Sequence, residues 1–126
     1  MITGFYAGLL AIVFLVLSAR VIAYRIHAKI SLGEGEDKNM RRRIRAQANF
    51  VEYAPFGVLL LLLMELQNAS PLLLHLCGVM LLAGRILHGI ALSGTSQWML
   101  GRRVGMILTL TTLALAACAT LYLSVI

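Results

Sequence analysis

Four long apolar segments make up most of this chain, and they constrain its fold more than any other feature. Of the 126 residues, 60% are hydrophobic and 13% are charged. A water-soluble domain of this size needs more polar surface, so the composition excludes a soluble globule and also a disordered chain. A membrane-crossing helix takes about 20 apolar residues, so four spans leave no room for a soluble domain. We predict an all-α integral membrane four-helix bundle, formed as a single domain over residues 1–126.

Hydropathy and helix signals predict the four spans at about residues 2–24, 44–66, 71–92 and 104–125. Ser70 and Pro71 are typical of a helix start, as the N-cap and the first helical residue. Pro55 predicts a kink in the second span, because proline removes an intrahelical hydrogen bond. No basic region precedes the first span, so we expect a retained span rather than a cleaved signal peptide.

The basic residues predict the orientation of the spans. Ten of the eleven Lys and Arg residues lie in the first or last connection or at the helix ends beside them, whereas residues 67–70 contain none. The positive-inside rule then predicts that Glu36 and Gln97 are cytoplasmic and that Asn68 and Ile126 are outside. The same rule accounts for the net charge of +6. No basic domain stands apart from the apolar sequence, so we predict no nucleic-acid partner.

A stripe of polar side chains lies inside the second span. Arg45, Asn49 and Glu52 are spaced i, i+4 and i+7, which sets them within about 60° of arc on one helical face, with Tyr53 at its edge. An intramembrane salt bridge that fixes helix packing is one interpretation of Glu52. The alternative is a binding site, because a guanidinium, an amide and a carboxylate together suit a zwitterionic ligand with several carboxylates.

Arg85 and His88 occupy adjacent turns of the third span and join the candidate ligand-binding residues. For His88 the alternative is a buried, hydrogen-bonded histidine. The second and third spans are antiparallel neighbours, so Glu52 and Arg85 are expected at one depth, and we predict an ion pair between them. Cys77 and Cys118 lie in apolar runs, which indicates neither a disulfide nor a metal site.

Small and aromatic residues add weaker signals. Gly4 with Gly8, and Gly101 with Gly105, have a spacing that permits close helix contact within a chain or between subunits. This pattern is common by chance in apolar helices. Trp98 is typical of a residue anchored at the membrane interface.

Residues 45–55, with the sequence RAQANFVEYAP, resemble the MAPEG family, the membrane-associated proteins in eicosanoid and glutathione metabolism. The shared pattern is R-A-x-x-N-x-x-E-x-x-P, which sets polar residues at fixed helical spacing inside a span. Residues 32–35, with the tribasic run 41–43, resemble the bacterial branch that includes relatives of microsomal glutathione transferases. The four spans and the charge layout extend the resemblance to essentially the whole chain.

The resemblance implies a homotrimer that binds glutathione between neighbouring subunits near the cytoplasmic face. It implies glutathione contacts at Arg45, Asn49, Glu52 and Tyr53, and a further arginine at Arg25, with Arg20 as the alternative. Arg102 looks like the arginine that stabilises the glutathione thiolate, with Arg103 as its neighbouring alternative. A fixed cation favours the thiolate because the free thiol ionises only near pH 8.5.

This chain departs from the family pattern on the third span. The family's eicosanoid enzymes carry tyrosine there, whereas this chain has His88 and Leu92. The expected activity is therefore general: glutathione transfer to hydrophobic electrophiles, or reduction of lipid hydroperoxides, at a bacterial inner membrane. The expected partners are further copies of the chain, glutathione, a hydrophobic small molecule or lipid, and membrane lipids, with no metal. A non-catalytic binding or scaffold protein of the same fold is the main alternative. A small multidrug exporter is disfavoured, because residues 1–24 contain no Asp or Glu.

Overall fold

The computed structural model describes residues 1–94 and 98–126 as four helices. These are α1 (Ile2–Ala28), α2 (Lys38–Leu66), α3 (Pro71–Ser93) and α4 (Met99–Val125). Each is long and apolar enough to cross a membrane. The all-α, four-span prediction is confirmed, and no strand occurs among the described residues. Gln97 and the rest of the segment 95–97 lie outside the described residues.

The helices extend beyond the predicted spans at the end of the bundle where the arginines cluster, which we call the basic end. Asp37 caps α2 by accepting hydrogen bonds from the backbone amides of Met40 and Asn39, at 3.1 and 2.8 Å. These bonds, with one from the Tyr24 hydroxyl, hold the pKa of the Asp37 carboxyl below its usual range. Helix α2 therefore begins six residues before the predicted span, and the tribasic run 41–43 is helical. The helix also continues through Pro55.

Helices α2 and α3 form the centre of the bundle, and each of them contacts both α1 and α4. Within the described residues α1 and α4 do not contact each other. Helices α3 and α4 approach at Gly84 and Gly105, where an added Cβ would lie 2.8 Å and 2.7 Å from the other glycine's carbonyl oxygen. The expectation of close contact is thus confirmed at Gly105. An added Cβ at Gly8 meets no atom within 4 Å, so the Gly4–Gly8 spacing forms no such contact in one subunit.

The opposite end of the bundle is held by polar contacts between helices. Glu65, near the end of α2, accepts hydrogen bonds from the backbone amides of Ile2 and Thr3, at 2.7 and 2.8 Å. Because the first amides of a helix have no intrahelical partner, this carboxylate acts as the N-terminal cap of α1. Ser70 caps α3 as predicted, accepting from the amide of Leu73 at 3.3 Å. The end of the bundle is therefore fixed by a contact across 63 residues of sequence.

We predict that Glu65→Ala lowers the free energy of unfolding, because the first amides of α1 lose the carboxylate that caps them. Thermal unfolding in detergent measures this as a lower Tm. Glu36→Ala is the matched control, since Glu36 lies exposed in the connection between α1 and α2. Equal Tm values for the two variants would contradict the capping role.

Candidate functional site

Two residues of the polar stripe predicted on α2, Arg45 and Glu52, face out of the bundle. Arg45 and Glu52 form an ion pair, with Nη2 and Oε1 separated by 3.6 Å. Their side chains are 53% and 51% exposed. Charged groups at membrane depth are costly when they face lipid, so proteins turn them toward an interior or a wet cavity. Within one subunit the Arg45–Glu52 ion pair remains half exposed on the side of the bundle.

Behind the stripe, Arg85 of α3 is buried, with 1% of its surface exposed. Its Nη1 donates to Asn49 Oδ1 at 2.6 Å, and its Nε donates to Thr109 Oγ1 at 3.0 Å. A weaker contact joins Nη2 to the sulfur of Met106 at 3.7 Å, and the guanidinium lies 5.5 Å from the centre of the Tyr53 ring. No carboxylate of the described chain lies within ion-pair distance of Arg85. Neutral dipoles and an aromatic face therefore stabilise this charge.

The predicted ion pair between Glu52 and Arg85 is wrong. Three residues along a helix correspond to about 60° of rotation, so Asn49 and Glu52 point in different directions from α2. Asn49 points toward α3 and bonds Arg85, whereas Glu52 points outward and pairs with Arg45. The Glu52 side chain therefore points away from α3, where Arg85 is buried.

Four arginines line a cavity of about 130 Å³ at the basic end, with two apolar residues of α3: Arg41, Arg42, Arg45, Arg102, Ala91 and Leu92. Three of the arginines are already engaged, Arg45 by its ion pair with Glu52. Arg41 forms a bidentate ion pair with Glu34, at 2.8 and 2.9 Å, and Arg42 donates to the Gly94 carbonyl oxygen at 3.1 Å. Among the described residues, Arg102 makes only a long contact, 3.9 Å to the sulfur of Met99. A cavity with this lining attracts anions.

The geometry separates the two candidate arginines of α4. Arg102, in the first turns of the helix, lines the arginine cavity, whereas Arg103 is exposed and does not line it. Of the two, Arg102 is therefore the one that lines the cavity, and its role toward a thiolate stays a prediction.

The candidates on α1 lie away from this cavity. Arg25 Nη1 donates to the carbonyl oxygen of Gly33 at 2.7 Å, and thereby fixes the turn after α1. Arg20 Nη2 donates to the carbonyl oxygen of Ser93 at 3.1 Å. Within one subunit neither residue joins the stripe on α2. Their roles toward a ligand stay predictions.

His88 is buried, with 5% of its surface exposed, at the close contact between α3 and α4. An added Cβ on Gly105 would lie 2.7 Å from the His88 backbone nitrogen. The burial expected in the alternative interpretation of His88 is confirmed, but within the described residues its ring makes no hydrogen bond. Its place among the ligand-binding residues is untested.

Sequence reasoning missed the contribution of α4 to the buried site. Thr109 and Met106 both contact Arg85, and the Thr109 hydroxyl also donates to the Gly105 carbonyl oxygen at 2.8 Å. The available signal was the spacing of Gly105 and Thr109, four residues apart on one face of α4. A hydroxyl one turn after a glycine contact is well placed to meet a polar group on the neighbouring helix.

A double-mutant cycle tests the new partner of Arg85. Arg85→Met and Asn49→Leu are expected to be non-additive, with a coupling of about 0.5–3 kcal/mol, because each leaves the other's polar group buried and unpaired. Unfolding in denaturant measures the cycle. Arg85→Met combined with Glu52→Gln is the matched control and is expected to be additive. If Arg85→Met coupled with Glu52→Gln and not with Asn49→Leu, the result would support an ion pair between Glu52 and Arg85 instead.

Comparison with known proteins agrees with this architecture. The chain is 33% identical over 123 residues to "Inner membrane protein YecN" of Escherichia coli K12, an alignment that covers 97% of this chain and 92% of the relative. The same values hold for the protein of that name in Escherichia coli O6:H1. No solved structure matches the chain significantly. Residues 3–122 match the MAPEG family. With this match over nearly its whole length, the chain belongs to the MAPEG family.

Proposed function

We propose that this protein is a homotrimeric glutathione transferase or peroxidase, which acts on hydrophobic electrophiles or lipid hydroperoxides. One observation carries the proposal: the half-exposed Arg45–Glu52 ion pair lies beside the arginine cavity on the lateral surface of a membrane bundle. Ligand cavities usually measure about 300–1,000 Å³, so a cavity of 130 Å³ is too small for a complete site. A neighbouring subunit that packs against this face both covers the charges and enlarges the cavity.

The side chains suit the functional groups of glutathione. Its two carboxylates fit guanidinium groups such as those of Arg45 and Arg42, since these cations bind carboxylates in bidentate geometry. Its ammonium group fits the Glu52 carboxylate, and its peptide groups fit the Asn49 amide. Asn49 is oriented by the buried Arg85, which prevents the amide from turning away.

Arg102 supplies the chemistry in this proposal. Its guanidinium lines the arginine cavity and makes one long contact within the described residues, a position that suits it to hold a thiolate. In a conjugation the sulfur lone pair forms a bond to the electrophilic carbon, and the leaving group departs with the bonding electrons. The cation lowers the pKa of the thiol and keeps the sulfur next to a substrate that enters from the bilayer.

We propose the inner membrane as the location, with both termini outside and the basic end in the cytoplasm. The relatives are named as inner membrane proteins. The described basic end gathers the tribasic run 41–43 with Arg25 and Arg102, which the positive-inside rule assigns to the cytoplasm.

Cysteine labelling checks this orientation. In a Cys77→Ala, Cys118→Ser background, Asn68→Cys and Ile126→Cys are expected to react with a membrane-impermeant maleimide in intact spheroplasts. Glu36→Cys is expected to react only after lysis, and labelling after lysis controls for reactivity at all three positions. A C-terminus that reacts only after lysis would contradict the four-span orientation.

Arg102→Ala is expected to raise the pKa of bound glutathione toward the ordinary thiol value near 8.5, with a smaller effect on glutathione affinity. The thiolate absorbs in the ultraviolet, so a pH titration of the complex reads this pKa directly. Arg103→Ala is the matched control and is expected to leave the pKa unchanged. If only Arg103→Ala shifts the pKa, the thiolate-stabilising role belongs to Arg103.

Equilibrium glutathione binding to detergent-solubilised protein, followed by conjugation with a generic electrophile, tests the function as a whole. Saturable binding with turnover is the expected result. Binding without turnover would support the scaffold alternative, because fold alone does not establish activity. Failure to bind would contradict the proposed site.

A further inference from the structure

A second groove lies on the other side of the bundle, between α1 and α3. Its volume is about 430 Å³, and it is lined by Ile12, Val13, Val16, Leu17, Arg20, Ile86, Gly89, Ile90, Ser93 and Gly94. Ile12 and Ile90 on its walls are 58% and 59% exposed. Because Ile12, Val16 and Arg20 recur every four residues, the groove follows one face of α1 for about 12 Å along the helix axis. It therefore runs parallel to the spans and is apolar along most of its length.

A basic pocket between α1 and α2 adjoins the groove at Arg20, which already donates to the Ser93 carbonyl oxygen at 3.1 Å. Arg20 lines both the groove and a pocket of about 260 Å³, whose other residues are Ala23, Tyr24, His27 and Arg43. The Arg43 guanidinium stacks over the Tyr24 ring, 4.3 Å from its centre, which holds that cation at the pocket wall. The nearby carboxylate of Asp37 is already bonded by the Tyr24 hydroxyl and by the first amides of α2. The pocket thus presents two arginines and a histidine beside one carboxylate that is already hydrogen-bonded.

We propose that the groove and pocket bind one anionic phospholipid. The apolar groove accepts an acyl chain, and Arg20 and Arg43 bind the phosphate at the end where the chain meets its headgroup. Basic pockets between membrane helices at a cytoplasmic surface suit anionic headgroups. A zwitterionic lipid is disfavoured because its ammonium group meets the same two cations. Within one subunit the groove and pocket lie away from the Arg45–Glu52 face, which is on α2 toward α4. The proposal takes Arg20 as a lipid contact rather than a glutathione contact, and lipid binding is measured without turnover.

Lipid titration followed by native mass spectrometry tests this assignment. Delipidated protein in detergent is titrated with phosphatidylglycerol or with phosphatidylcholine of identical acyl chains. We expect one tightly held phosphatidylglycerol per subunit, with about a tenfold preference over phosphatidylcholine. Equal retention of the two lipids would overturn the proposal.

Charge variants test the headgroup pocket. The double variant Arg20→Gln, Arg43→Gln is expected to reduce the preference to within about twofold. The double variant Lys29→Gln, Lys38→Gln is the charge-matched control, because it removes two exposed cations from the same end. Arg20→Lys keeps the charge and is expected to keep most of the preference. A loss of preference in the lysine control as large as in the arginine variant would overturn a specific pocket in favour of general surface charge.

A steric variant tests the acyl-chain groove. Ile90→Trp fills the groove and is expected to weaken retention of both lipids several-fold, although both arginines remain. Ile107→Trp is the matched control, since Ile107 is 63% exposed on α4 and does not line the groove. Unchanged phosphatidylglycerol retention in Ile90→Trp would show that the headgroup alone is bound, which overturns the proposed groove.

Discussion

The buried charge of Arg85 organises the three helices that form the candidate site. Its guanidinium takes Asn49 from α2 and Thr109 from α4, so each of these helices has its rotation set relative to α3. The contact between Gly84 and Gly105 lets α4 approach α3 closely enough for the Thr109 hydroxyl to reach the arginine. A buried cation without these acceptors would be strongly destabilising, because nothing in the apolar bundle replaces its hydration. The same bonds orient Asn49 at the inner edge of the charged stripe.

The polar groups of the candidate site form an inner and an outer layer, which differ in how far one subunit buries them. The inner layer around Arg85 is complete within one chain, whereas the outer layer, Arg45 with Glu52, remains half exposed on a lateral surface. Charged groups that face lipid are costly, because the hydrocarbon region holds no water to solvate them. The energetic requirement for cover, and the small cavity beside the pair, both favour a site completed by a neighbouring subunit. We propose glutathione as the ligand of that shared site, and the chain belongs to the MAPEG family.

Local sequence signals predicted the spans, the Ser70 cap and the shared face of Arg45 and Glu52, because these depend on residues within a few turns. The partner of Arg85 was not predictable in this way. It depends on a rotation of α2 by about 60°, which decides whether Asn49 or Glu52 faces α3. The Glu65 cap on α1 likewise joins residues that are far apart in sequence. Thus helical periodicity located the candidate site, but tertiary packing decided which of its groups are buried together.

In the proposed function, one subunit carries only part of the glutathione site. Native mass spectrometry of the detergent-solubilised protein, with and without glutathione, tests this arrangement because it determines subunit number and bound ligand in one spectrum. We predict glutathione on trimers, with none on monomers released from them. Glutathione bound equally well to monomers, or an assembly that is not a trimer, would contradict it.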